Sequence, residues 1–216
     1  MKIYLGISGT RGAKRIKELY GCGWLMNPTN FKRVFRGPFI IDNGAFSAWK
    51  NGKSWDEMTF YEFLREFISF KPDFTVVPDI VAAGEESLKF SLTHVNRIPR
   101  PRYLAVQDGM RITPTSYFLD RFDGIFVGGT VPWKLQTMRA WSDTAHLQGL
   151  KCHVGRIGSY AGYLMCHYAG IDSVDGTYPS RNQDERPLKR YYEHLASQSS
   201  LKDFDILDLN EVGELV

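Results

Sequence analysis

The sequence has 216 residues, 43% of them hydrophobic and 14% aromatic, which supports a buried core and argues against disorder. A formal charge of +3 and a pI near 8.7 permit a polyanionic partner without requiring one. No apolar run approaches the roughly 20 residues of a membrane span, the opening MKIYLGISG lacks a signal-peptide pattern, and Cys22, Cys152 and Cys166 form no CxxC pair, so the expectation is a soluble, cytoplasmic protein with no membrane contact, disulfide framework or zinc knuckle.

In chain order, short apolar runs bounded by Gly, Pro or Asp fall at residues 3–7, 39–42, 74–78, 103–107, 124–127, 152–155 and 171–175, and read as buried parallel strands. A weaker run at 204–207 supplies an eighth. Helical signals lie between them. Ser54 and Glu57 form a capping box opening a helix over 55–70 with Tyr61, Leu64, Phe67 and Ile68 on its apolar face. Residues 85–97 carry Leu88, Leu92 and Val95 at helical spacing. Thr113-Pro114 and Val131-Pro132 start two more helices with Pro in the first turn. Repeated βα units with short connectors predict an α/β fold, a compact (β/α)8 TIM-like barrel forming one domain over 1–216, with an open doubly wound sheet as the rival topology.

The strand ends carry the polar residues. Ile41 runs into Asp42-Asn43-Gly44, Val77-Pro78 into Asp79, Val106 into Gln107-Asp108-Gly109, Val127 into Gly128-Gly129, Val154 into Gly155-Arg156, and Val174 into Asp175-Gly176. In a parallel barrel these ends converge on the face where barrel enzymes place their chemistry. An Asp after a strand more often caps a helix or makes a turn than catalyses, but this coincidence recurs at strand after strand. Gly-rich ends also let backbone N–H groups approach a flat ligand closely. No phosphate-loop or dinucleotide fingerprint occurs, and no histidine spacing suggests a metal. His153 sits on a strand and reads as a satisfied interior histidine, Asp108 as a turn residue. Basic residues cluster at Lys14, Arg15 and Lys17; at Lys32, Arg33 and Arg36; at Arg97, Arg100 and Arg102; and at Arg181, Arg186, Lys189 and Arg190, the last group close behind Asp175. Such runs are ordinarily solvated faces.

These segments resemble the tRNA-guanine transglycosylase superfamily in order along the chain, from Asp42 to Arg181. Asp42-Asn43-Gly44-Ala45-Phe46 is similar to the family's DSGG-aromatic segment, Pro78-Asp79 to its base-reading Asp, and Val106-Gln107-Asp108-Gly109 to its VQGG stretch. Gly128-Gly129 is similar to the family's GG pair, and Gly170-Ile171-Asp172-Ser173-Val174-Asp175 with Pro179-Ser180-Arg181 to its GxDxxD…PTR block. The family's CxCxxC…H zinc site has no counterpart here. That departure is similar to the short, zinc-free DNA transglycosylases of phages and bacteria that insert 7-deazaguanine bases.

The resemblance implies that guanine in DNA is replaced by a 7-deazaguanine (preQ0-like) base, the co-substrate, through a covalent Asp175–sugar intermediate, with Asp42 as general acid and base. Asp79, Gln107, Gly128, Gly129 and Gly155 would bind the base, Phe46 would wall it or else pack in the core, and Arg181 would hold a phosphate. No cofactor or metal is needed, because one glycosidic bond replaces another. Strand alternation supports the nucleophile: Ile171, Ser173 and Asp175 share a face, and Asp172 points the other way as a structural residue. The same chemistry on tRNA, or a non-catalytic barrel that binds nucleic acid or a purine, are the alternatives. The oligomeric state is left open.

Overall fold

The computed structural model describes residues 1–197. In chain order they form β1 (Lys2–Gly6), α1 (Arg11–Leu19), β2 (Gly23–Met26), β3 (Phe39–Ile41), α2 (Ala45–Lys50), α3 (Glu57–Phe67), β4 (Thr75–Val76), α4 (Gly84–His94) and β5 (Arg102–Val106). There follow α5 (Ile112–Ser116), β6 (Gly124–Val127), α6 (Val131–Leu147), β7 (Lys151–Val154), α7 (Tyr160–Tyr168), β8 (Ser173–Gly176), α8 (Tyr178–Asn182) and α9 (Arg186–Ser197). Each strand pairs in parallel with the next, and β8 returns to β1 through Tyr4↔Asp175 and its neighbours, which closes an eight-stranded barrel. Parallel neighbours need a crossover, and helices supply it everywhere except between β2 and β3, where residues 27–38 run without a helix. The fold is the expected (β/α)8 barrel.

One strand departs from expectation. The expected run at 204–207 lies outside the described residues, and the barrel closes without it because Gly23–Met26 is a strand. This segment opens on a glycine, which ordinarily weakens a strand. Here the reason is steric: a Cβ at Gly23 would lie 2.4 Å from the Tyr4 ring, so the aromatic packing inside the barrel requires the bare position.

Two apolar layers follow from strand alternation. Leu5, Met26, Ile41, Val77, Leu104, Val106, Ile125, Val127, Val154 and Val174 pack outward against the helices. Tyr4, Leu25, Ile40, Phe74, Val76, Tyr103, Ala105 and Phe126 alternate with them and fill the interior, where Phe74 and Tyr103 stack at 3.8 Å. The barrel interior is therefore a packed core and not a pore. Helix α3 is capped by Asp56, whose carboxylate accepts the Thr59 N–H at 3.0 Å, rather than by Ser54. Its buried face is Phe60, Phe63, Leu64 and Phe67; Tyr61 and Ile68 are half-buried. The phenylalanines win the core, and the Tyr61 hydroxyl goes instead to His94 Nδ1 at 2.9 Å. Among the described residues no helix is long and apolar enough to cross a membrane.

Candidate active site

Register assembles the mouth. Val106, Val127, Val154 and Val174 are consecutive partners across β5 to β8 and face outward. The next residues, Gln107, Gly128, Gly155 and Asp175, therefore face inward as a row at the C-terminal end of the barrel. Ile40 faces inward on β3, which turns Asp42 to the same side. Asp79, three residues past β4, is tied into this group by hydrogen bonds.

Asp175 is 4% exposed, so it is an interior carboxylate and not the solvent-facing one that strand-end position alone suggests. Oδ2 lies 2.9 Å from His153 Nε2, and Oδ1 accepts the Arg156 N–H at 3.3 Å. His153 is wholly buried, stacks on Phe126 at 4.9 Å, and has Ser173 Oγ 2.8 Å from Nδ1. Burial pushes its pKa down while the Asp175 carboxylate opposes that shift. A neutral ring donating from Nε2 to Asp175 and accepting at Nδ1 from Ser173 satisfies all three groups. His153 is the satisfied interior histidine expected from its strand position, and the residue it satisfies is the proposed nucleophile.

Asp42 is half-buried, with Oδ1 accepting the Gly44 N–H at 2.6 Å. Burial pushes its pKa up to about 7; the Gly44 N–H opposes this, the charges of Asp175 and Asp79 add to it, and Arg156 opposes it. Asp79, 6% exposed, is pushed up to about 6 by burial against hydrogen bonds from Asn43 and Gln107. Asn43 Nδ2 reaches Asp79 Oδ1 at 2.7 Å and the Val77 carbonyl at 2.9 Å, while its Oδ1 accepts the Ala45 N–H at 2.8 Å. It clamps the turn after β3 to the end of β4. Sequence reasoning passed over it, although its place beside Asp42 was the available signal.

The groups that the resemblance assigns to the base are engaged with one another. Gln107 Nε2 donates to Asp79 Oδ2 at 2.5 Å, and its Oε1 accepts N–H groups from Gly129 at 2.9 Å and Ala82 at 3.3 Å. Gly129 has φ +71°, and a Cβ there would lie 2.4 Å from Asp108 Oδ2, so only glycine fits. A base contacting Gln107 and the Gly129 N–H must first open this pairing. Asp108 is the expected turn residue, accepting the Thr130 N–H at 2.7 Å. Phe46 is half-buried with the Arg156 guanidinium 4.0 Å above its ring, so one face of the expected wall is taken. Arg156 itself has φ +62° and donates to the Gly129 carbonyl.

Lys134 escaped sequence reasoning altogether. It is 1% exposed, its ammonium donates to the Gly155 carbonyl beside Asp175, and burial pushes its pKa down to about 7 with Arg156 adding to the shift. A lysine in the first turns of a helix ordinarily points to water, so only tertiary packing exposes its role.

Of the basic group behind Asp175, Arg186 pairs with Asp184 at 2.8 Å, Lys189 with Glu193 at 3.8 Å, and Arg190 lies over the Tyr160 ring. Arg181 is exposed and has no side-chain partner among the described residues. Among the described residues it is the member of this group left without a partner. Asp172 accepts from Lys151 at 2.9 Å and from the Cys152 N–H at 2.8 Å, and lies 2.8 Å from His146 Nε2. These contacts sit at the opposite end of β8 and give it the structural role expected. The three cysteines are buried, and among the described residues no group of three His, Cys, Asp or Glu side chains could hold a metal ion.

Two cavities are lined by none of the mouth's residues. One of about 450 Å³ lies between α5 and α6, and one of about 310 Å³ between α1 and the 27–38 connection. No protein-family model and no curated protein matches the chain.

Proposed function

We propose that this protein exchanges a purine base in a nucleic acid, releasing guanine from DNA and installing a 7-deazaguanine, preQ0-like base. The observation that carries the reading is the pair of inward carboxylates in unlike environments. Asp175 is hydrogen-bonded by a neutral imidazole and a backbone N–H, whereas Asp42 holds its proton to about pH 7. Such a split is what a nucleophile and an acid–base partner need.

Asp175 attacks C1′ of the deoxyribose as the C1′–N9 bond to guanine breaks, and Asp42 protonates the departing base. Asp42, now a carboxylate, takes the proton from the incoming base. That base bonds to C1′ and the Asp175–sugar ester breaks, which restores both carboxyl groups. Asp79 accepts from the guanine N1–H and exocyclic amine, while Gln107 and the Gly129 N–H turn to the base oxygen. Gly128 and Gly155 leave room for the flat ring, Phe46 walls its open side, and Arg181 holds a flanking phosphate. A duplex substrate must extrude its base, at a cost of a few kcal/mol.

Two outcomes follow here. His153→Phe keeps the ring packing but removes the donor to Asp175, so kcat should fall about 10- to 100-fold, the equivalent of one hydrogen bond to a charged group, with KM little changed. Steady-state exchange kinetics check this; an unaffected kcat would show that the imidazole does not position the nucleophile. Arg181→Ala should lower the salt slope of DNA binding by about one unit and slow exchange in every sequence context, because phosphate contacts position rather than specify. Binding titrations at stepped KCl measure it.

DNA is the proposed substrate. Release of radiolabelled guanine from matched DNA duplexes, DNA single strands and tRNA tests that choice. Release from tRNA alone would move the substrate to RNA and leave the chemistry standing; binding without release from any of them would leave only a purine- or nucleic-acid-binding barrel.

A further inference from the structure

Two basic groups, 14–17 and 32–36, are spent on neither the barrel nor its mouth. The structure sorts their members. Arg15 pairs with Glu185 at 3.4 Å and Arg33 with Glu66 at 2.6 Å. Lys14, Lys17, Lys32 and Arg36 have no side-chain partner among the described residues, and all four line the 310 Å³ cleft, where they face one carboxylate, Glu18. Elsewhere on the surface four exposed arginines are matched, Arg97 with Glu57, Arg100 with Asp123, Arg111 with Glu85, and Arg139 with Asp143, and those without an ion pair, such as Arg65 and Arg181, are not gathered into a cleft. An unneutralised cluster inside a concavity focuses potential and collects anions.

Two further features give the cleft the character of an anion site. Ser8 and Gly9 line it, and their backbone N–H groups have no partner among the described residues. Half-buried Phe35 supplies an apolar wall beside the cations. The cleft also adjoins the mouth through a pinned connection. Asn27 Oδ1 accepts the Thr29 and Asn30 N–H groups at 2.9 and 2.8 Å, and Asn30 Nδ2 donates to the Ile7 carbonyl at 3.3 Å. Pro28 lies beside Gly44, next to Asp42. One loop thus borders the reacting carboxylate on one side and the cationic cleft on the other.

We infer that this cleft binds the phosphodiester backbone of the nucleic-acid strand whose nucleotide occupies the mouth. The inference rests on the nucleic-acid substrate proposed above for its ligand, and on unpaired cations, free N–H groups and loop geometry for its place. A strand carries phosphates at regular intervals, which suits several cations spread along a groove better than one bound ion would. Arg181 grips one side of the flipped nucleotide, and the cleft grips the strand beyond Asp42.

The test is binding of a short, fluorescently labelled single-stranded DNA at stepped KCl, run beside guanine release from the same DNA. Lys14→Ala/Lys32→Ala/Arg36→Ala should weaken binding and lower the slope of log K against log salt by about two units, at roughly 0.7 per cation on a single strand. Arg65→Ala/Lys71→Ala/Lys89→Ala removes the same charge from exposed positions elsewhere and should leave the slope unchanged. Lys32→Glu alone repeats the comparison if the triple variant is unstable. Equal slopes for the cleft and control variants, or no DNA binding by the wild type, would overturn the inference. So would binding to phosphatidylserine vesicles that needs the same three residues in the absence of DNA binding. Loss of slope without guanine release by the wild type would keep the cleft and sink the exchange reading. Guanine release with an unmoved slope would do the reverse.

Discussion

Replacing Asp175 with Asn is expected to stop base exchange almost completely, by about 10⁴-fold or more, as loss of a nucleophile does elsewhere. The amide is uncharged and a poor nucleophile, yet its one oxygen can take the place of Oδ2 and still accept from His153 Nε2, so that only the longer 3.3 Å contact of Oδ1 with the Arg156 N–H is lost. The Asn variant should therefore melt within a few degrees of wild type. Asp175→Ala removes the same chemistry but strands both donors in an interior position that is only 4% exposed. An unsatisfied buried donor costs about 1–3 kcal/mol, so the Ala variant should melt several degrees lower. Exchange rates and thermal melts of the two variants separate the chemical role from the structural one. Wild-type exchange in the Asn variant would remove Asp175 from the reaction. A fully stable Ala variant would mean that the His153 contact holds nothing together.

Asp42→Asn should lower exchange about 10²- to 10⁴-fold, the usual contribution of a positioned acid–base group. Its pH behaviour is more telling. With a carboxyl that titrates near 7 in the folded protein, wild-type exchange should decline as pH rises above about 7, because the departing guanine then finds no proton. The Asn variant should lose that limb. The same shift has a stability consequence. The ordinary value is 3.8, so the folded protein binds this proton more firmly than the unfolded chain does. Wild-type stability should therefore fall as pH rises from about 4 to about 7, then level off. Asp42→Asn should match wild type near pH 4 and melt above it at pH 8. A variant that melts below wild type at pH 8 would show that the charged carboxylate is welcome there.

Much of this was legible in the sequence, for identifiable reasons. Asp42, Gln107, Gly128 and Asp175 each follow a short apolar run, and period-two alternation sends all of them to one side once the runs are strands of a closed barrel. Strand β2 was not legible, because Gly23 reads as a break until Tyr4 is known to occupy the space of its side chain. The start of α3 slipped from Ser54 to Asp56, since adjacent polar residues compete for one cap and only backbone geometry decides between them. Lys134 was invisible, because a lysine on a helix carries no signal of burial. The basic group behind Asp175 was legible as charge but not as pairing: Asp184 claims Arg186 and leaves Arg181 as the free member. Sequence spacing placed the polar groups of the rim together, while their mutual hydrogen bonds, Asn43 to Asp79 and Gln107 to Gly129, depend on the folded rim.

A covalent bond between Asp175 and the sugar is the proposed step on which base exchange depends. It is tested most directly by incubating the protein with guanine-containing DNA in the absence of an incoming base, denaturing it, and mapping the modified peptide by mass spectrometry. A denaturation-resistant adduct on the peptide carrying Asp175, absent from the Asp175→Asn variant, is the predicted result. An adduct on Asp42 or Asp172, or guanine release with no adduct at any stage of the reaction, would contradict it.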